Sequence, residues 1–253
     1  MIHNKDVPLW WMKFSNNTAQ IEEILSHFDV GLCDYDFTHL DALAETIYGD
    51  VAQRYKNRVR KLALFDLPVK AVAYFDCDIV FFQPIHPLFE VQRKTNFDVI
   101  CTSGRNDPWV YNSNYKNYAQ LRASLRFSDG CLVLKCGAIS TRQAIDLLRN
   151  NLDMFHDVRA DGVYSQPVTN FVADLSGLRV GTFWRYSADV SPRTWFKDSG
   201  FVQNDRSIAD EKGRSPIFMH WAGFNMESDV DRFAYVRQQL LEAYHRRVTE
   251  RPV

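Results

Sequence analysis

The chain has 253 residues, 46% of them hydrophobic and 14% aromatic, enough apolar material for one sizeable core. The net charge of -1 gives no overall positive field, so nucleic acid is not an expected partner. No apolar run approaches the roughly 18 residues of a membrane span, and Met1-Ile2-His3-Asn4-Lys5-Asp6 lacks the apolar stretch of a secretory signal; the expected location is the cytoplasm.

In chain order, Pro8 to Phe14 is a short apolar run that reads as a strand. Ser15-Asn16-Asn17-Thr18 offers helix caps before Ile21, Ile24, Leu25 and Phe28, which recur at helical spacing. Val30 to Phe37 alternates like a strand, and Thr38 to Tyr48 and Arg54 to Phe65 read as helices, the second closed by Pro68. Ala71 to Phe75 carries apolar residues on both faces, as does a strand buried in a parallel sheet. Further strands are expected at Asp98–Cys101, at Cys131–Leu134 after Ser128-Asp129-Gly130, and at Ile217–Met219, which ends at His220. Thr141 to Leu152 and Gln166 to Val172 read as helices. So does Asp229 to Val248, with a stripe of Val230, Phe233, Leu240, Leu241, Tyr244 and Val248. Strands alternating with helices predict an α/β sheet with helices on both faces, in a single domain over 1–253. The five cysteines form no C-x-x-C pair and are an odd number, so buried free thiols are expected rather than a disulfide framework or zinc site.

Asp76 and Asp78 stand where the apolar strand stops. Ligands of open α/β sheets bind at the carboxyl ends of strands, and residues i and i+2 of an extended chain point the same way. Two carboxylates so placed suit a hard divalent cation, Mg²⁺ or Mn²⁺, which also accepts diphosphate oxygens. A bare D-x-D is most often a solvated turn. Here a buried strand precedes it, and Ile79-Val80-Phe81-Phe82 with Gln83-Pro84 follows, a setting that gives the motif value. A phosphotransferase of the haloacid-dehalogenase type also places D-x-D at a strand end. Its motif continues with Thr, where this chain has Val80, and its first Asp lies near the start of the domain.

The stretch "AVAYFDCDIVFFQPIHPLF" resembles the D-x-D segment of GT-A fold glycosyltransferases, especially the glycogenin-like family 8. Four further blocks occur in that family's order between Arg58 and Phe224. "RKLALFDL" is similar to its Lys-Leu helix and "RFSDGCLVL" to its Phe-Asn-Ser/Ala-Gly strand. "SQPVTNFV" is similar to its Asp-Gln helix and "FMHWAGF" to its His-x-x-Gly block. The resemblance implies a GT-A, Rossmann-like, mixed and mainly parallel sheet. It implies transfer of a sugar from a nucleotide-sugar, a UDP-sugar, to a hydroxyl of a glycan, protein or small-molecule acceptor, with retention at the anomeric carbon.

By the same resemblance Asp76, Asp78 and His220 would hold Mn²⁺ or Mg²⁺. Lys61, with Arg58 and Arg60 as alternatives, would contact the donor, and Gly223 would admit the diphosphate backbone-close. Asp129 and Gln166 would position the donor sugar as the catalytic pair. An imidazole at His220 favours Mn²⁺ over Mg²⁺. The chain departs from the pattern at Ser128 in place of Asn, at Asp129 in place of Ser/Ala, and at Ser165 in place of Asp, with Asp161 one turn earlier. A Lys after His-x-x-Gly is missing; Lys212 or Arg214 could replace it. The alternative function is an inactive GT-A domain that binds a sugar nucleotide or a protein partner.

The nucleotide base would fall to Leu9-Trp10-Trp11-Met12-Lys13. Trp109, Tyr111, Tyr115 and Tyr118 within "NDPWVYNSNYKNY" are acceptor candidates, set against a loop packed by its own aromatics. "FWRYSADVSPRTWFKDSG" is a second such loop. Arg246, Arg247 and Arg251 suit a solvated helix end.

Overall fold

The computed structural model describes residues 4, 6–13, 18–102, 109–121, 125–161, 165–192, 194–195, 201–203, 208–221 and 242. Its strands are β1 (Leu9–Trp11), β2 (Val30–Leu32), β3 (Ala71–Phe75), β4 (Ile79–Phe81), β5 (Val99–Cys101), β6 (Cys131–Lys135), β7 (Val180–Thr182), β8 (Phe201–Gln203), β9 (Ile208–Asp210) and β10 (Phe218–His220). Its helices are α1 (Ala19–Ser26), α2 (Thr38–Tyr48), α3 (Ala52–Tyr55), α4 (Asn57–Arg60), α5 (His86–Lys94), α6 (Thr141–Asn150), α7 (Leu152–Val158) and α8 (Gln166–Leu175), with a 3-10 segment at Lys61–Asp66. Of the expected helix from Asp229 to Val248 only Glu242, which is helical, lies among the described residues. Among them no helix is long and apolar enough to cross a membrane.

The chain divides into two compact units: Met1–Asp34, Asp78–Pro84 and Asp189–Val253 in one, Tyr35–Cys77 and Ile85–Ala188 in the other. The second unit holds the four-stranded sheet, ordered β3-β6-β5-β7. β6 runs antiparallel to β3 and β5, and β5 runs parallel to β7. Three of the four strands therefore point the same way, with β6 reversed among them. This is a mixed, mainly parallel α/β arrangement, as expected.

Cys131, Leu132, Val133 and Leu134 are all buried. Successive strand residues face opposite sides, so both faces of β6 are covered. β3 corrects its expectation: among the described residues it lies at the edge of the sheet with an antiparallel neighbour, and only Tyr74 in it is fully buried. Apolar residues on both faces do not reveal the direction of the partner strand.

α2 keeps its expected bounds and buries Leu40, Leu43, Ala44 and Ile47, the i, i+3, i+4, i+7 stripe. Asp36 holds its start, accepting from the Thr38 amide at 2.9 Å and the Thr38 hydroxyl at 2.6 Å. The single helix expected over Arg54–Phe65 is instead α3, α4 and the 3-10 segment. Val59 through Phe65 are all buried, so no one-sided stripe exists there from which helical type or bounds could be read. α6 opens on a capping box: the Gln143 amide donates to Ser140 Oγ at 3.1 Å and the Ser140 amide to Gln143 Oε1 at 2.9 Å. α8 buries Val168, Phe171 and Val172, and Phe171 meets the Phe155 ring edge-on with centroids 5.2 Å apart.

In the first unit β1 and β2 pair in parallel with α1 between them. The helix expected from the spacing of Ile21, Ile24 and Leu25 is present; no residue of α1 is buried, and Ile21 and Ile24 are exposed. β4 pairs antiparallel with β10, and β8 with β9.

Candidate metal and donor site

β3 ends at Phe75, and Cys77 and Asp78 form a turn. The alternation of an extended strand therefore does not continue through the motif as expected; the turn delivers Asp78. Cys77 is exposed, unlike buried Cys101 and Cys131, so the expectation of buried thiols fails at this position.

In the first unit, β10 brings His220 opposite Ile79 of β4. His220 Nε2 stands 3.0 Å from Asp78 Oδ1. The backbone amide of Trp221 donates to the Asp78 carbonyl at 2.8 Å, and that of His220 to Thr194 at 2.6 Å. Both residues are thus fixed by main-chain bonds that do not depend on their side chains. Cis ligands of an octahedral cation at about 2.1 Å lie roughly 3.0 Å apart, the separation this pair shows.

In the second unit, the Asp76 amide donates to the Gly130 carbonyl at 2.9 Å, carrying the β3–β6 ladder one residue past the strand. Lys61 Nζ lies 3.0 Å from Asp76 Oδ1 and 3.3 Å from Asp129 Oδ1, and donates to the Asp129 carbonyl at 3.2 Å. An ammonium has three N–H groups, and here each has an acceptor; contact with a diphosphate would take one of them. The ammonium also sits 4.8 Å from the Tyr74 ring centroid, and the Tyr74 hydroxyl donates to Asp76 Oδ1 at 2.7 Å. Burial first, then the adjacent Asp76 carboxylate, pushes the Tyr74 phenol far above its ordinary value, so it remains a proton donor at neutral pH.

Asp129 is buried, 2% exposed. It accepts from Ser165 Oγ at 2.8 Å on Oδ1 and from Thr169 Oγ1 at 3.1 Å on Oδ2. The lead-in to β6 is thereby tied to the first turn of α8. Gln166 Nε2 donates to Ser128 Oγ at 3.3 Å, while Gln166 Oε1 is buried without a partner among the described residues. Turning the amide over would leave the other end unpartnered instead.

Arg60 is committed elsewhere, forking onto Asp41 through Nε at 2.7 Å and Nη2 at 2.6 Å. Arg58 has a buried Nε without a partner among the described residues. Arg214 forks onto Asp210, and Asp161 is exposed. Gly223, Arg246, Arg247 and Arg251 lie outside the described residues.

Of the aromatic loop, Tyr111 is buried with its hydroxyl on Asp174 at 2.8 Å, and Tyr118 donates to Asp157 at 3.0 Å. Arg126 stacks on Tyr115 with its guanidinium carbon 3.7 Å from the ring centroid. These contacts make it a loop packed by its own aromatics. Trp109 alone of the four is exposed, at 54%. In the second loop Phe183 is buried while Tyr186 and Trp195 are exposed.

Sequence reasoning missed Tyr74 and Thr169. Tyr74 lies two residues before Asp76 and Thr169 four after Ser165, so the strand and helix periods place each beside a residue already singled out.

No family model matches the sequence, and no curated protein sequence matches it. Among solved structures, the chain is similar to the apo form of mouse xyloside xylosyltransferase 1, at TM-score 0.45 and 11% identity, over 69% of this chain and 71% of that one. It is also similar to the apo bifunctional glycosyltransferase WbbM, at TM-score 0.46 and 13% identity, over 84% of this chain and 39% of that one. The chain thus spans well under half of WbbM.

Proposed function

We propose that this chain is a metal-dependent glycosyltransferase of the GT-A type, moving a sugar from a UDP-sugar to an acceptor hydroxyl with retention at the anomeric carbon. The observation that carries the reading is the pairing of His220 with Asp78 at 3.0 Å. It joins a histidine to the D-x-D motif across 142 positions of chain, in the order the resemblance implies.

By the resemblance, Asp76, Asp78 and His220 would hold the cation. Two carboxylates and an imidazole fit Mn²⁺. A divalent ion held there would supply Lewis-acid neutralisation of the leaving diphosphate. Lys61 balances the charge of Asp76 and of buried Asp129. The amide end of Gln166 that has no partner among the described residues is suited to a sugar hydroxyl, since a buried polar group without a partner is costly until a ligand supplies one. Exposed Trp109 offers a flat apolar face for the acceptor.

The test is hydrolysis of a panel of UDP-sugars with and without Mn²⁺, alongside thermal shift with each nucleotide. Mn²⁺-dependent turnover of one donor supports the reading and names the sugar. Nucleotide binding without turnover makes the chain a binding domain, and the absence of both binding and turnover refutes the proposal.

A further inference from the structure

Two donors converge on one oxygen of Asp76. The Tyr74 hydroxyl reaches Oδ1 at 2.7 Å and Lys61 Nζ reaches the same atom at 3.0 Å. We propose that Tyr74 is a positioning residue for the metal site, its hydroxyl setting the orientation in which Asp76 meets a divalent cation. The inference rests on the metal-dependent reading above.

The backbone fixes both partners first. Tyr74 pairs with Leu132 across the β3–β6 ladder, and the Asp76 amide bonds to Gly130 two positions further along. With both main chains held in the same ladder, two residues apart, the hydroxyl and carboxylate meet on the same side of the strand. Packing alone does not call for the hydroxyl, because Phe would fill the same volume.

Tyr74 then acts twice. Its ring lies 4.8 Å from the Lys61 ammonium, and its hydroxyl holds the carboxylate that the same ammonium contacts. Lys61 in turn is anchored by Asp129 through the carboxylate at 3.3 Å and the carbonyl at 3.2 Å. A carboxylate beyond the end of a strand would otherwise rotate about two side-chain bonds. Holding it in one orientation before the ligand arrives removes an ordering cost from binding. Partners of this kind, one shell out from the metal, are worth about 10–100-fold in metal affinity.

The variant that isolates the hydroxyl is Tyr74→Phe, which keeps the ring beside Lys61. Mn²⁺ binding would be read from the electron paramagnetic resonance signal of the unbound ion, and the Mn²⁺ concentration for half-maximal donor hydrolysis would be measured beside kcat and Tm. The expected result is an Mn²⁺ dissociation constant raised about tenfold, an activation constant that rises more than kcat falls, and little change in Tm. An unchanged dissociation constant in a wild-type protein that binds Mn²⁺ overturns the positioning role and leaves the glycosyltransferase reading standing. Absence of Mn²⁺ binding in the wild type overturns both. Should Tyr74→Phe not fold, the wild-type protein still decides: Mn²⁺ should perturb the near-ultraviolet tyrosine spectrum, and a flat difference spectrum at saturating Mn²⁺ counts against the proposal.

Discussion

Ser165 donates its hydroxyl to the Asp129 carboxylate across 2.8 Å. These are two of the positions at which the chain leaves the glycosyltransferase pattern it resembles, with an acid where that pattern has Ser/Ala and Ser where it has Asp. The departures are in contact, so they read as one compensated exchange of hydroxyl and carboxylate rather than as two separate losses. Asp129→Ser should be costly, because it leaves the Lys61 ammonium, 4% exposed, with a single carboxylate; breaking a buried pair costs about 3–5 kcal/mol. Asp129→Ser combined with Ser165→Asp should recover more than about 1 kcal/mol of the loss, as coupled neighbours do. Urea unfolding of both single variants and the double variant checks this, and strictly additive effects would deny the exchange.

Ser140 and Gln143 close the start of α6 reciprocally. Removing the cap hydroxyl with Ser140→Ala should cost about 1 kcal/mol, which for a chain of this size lowers Tm by roughly 2–4 °C. Differential scanning calorimetry reads the shift, and donor turnover should not follow it, since α6 contributes nothing to the groups around Asp76.

The residues that could be read from sequence and those that could not differ in a physical way. α2 was legible to the residue because Leu40, Leu43, Ala44 and Ile47 lie on one face and the other side meets solvent. The segment Val59–Phe65 is buried throughout, so its hydrophobic period vanishes and with it the boundary between α4 and the 3-10 segment. β3 showed its ends but not its partner, because an apolar strand looks the same beside a parallel or antiparallel neighbour. His220 was legible only through the order of the blocks. Its pairing with Asp78 depends on β10 lying against β4, a contact between distant segments that no local pattern encodes. The spacing of Ile21, Ile24 and Leu25 showed the α1 helix but not its surroundings, since Ile21 and Ile24 are exposed: helical spacing of apolar residues says which face is apolar, not what covers it.

Asp210 carries a pH dependence whose sign can be worked out. Burial pushes its carboxyl up. The opposing hydrogen bonds win: those from the Arg214 amide and guanidinium, the Lys212 amide and Ser191 leave it at about 2, below the ordinary 3.8. A carboxylate with a depressed folded value stabilises the fold above its unfolded value, and that contribution is lost as pH falls through the folded one. The stability gap between the wild type and Asp210→Asn should therefore be full above about pH 4 and shrink on descending toward pH 2. Urea midpoints of both proteins across this range test it, and a gap independent of pH would contradict the assignment.

Replacing His220 separates the metal reading from a purely structural histidine. The backbone bonds of His220 to Thr194 and of Trp221 to Asp78 involve no side-chain atom, so His220→Ala should leave β10 paired with β4 and change Tm little. If the imidazole is a ligand, Mn²⁺ affinity should fall by at least the ~10–100-fold that loss of an outer-shell partner costs. His220→Asp makes the donor set all oxygen. Because imidazole favours Mn²⁺ and carboxylates serve Mg²⁺ equally well, this variant should regain binding and lose preference for Mn²⁺ over Mg²⁺. Calorimetric titration with each ion decides between the roles. A structural histidine would show a lower Tm with unaltered ion preference, whereas a ligand shows the reverse.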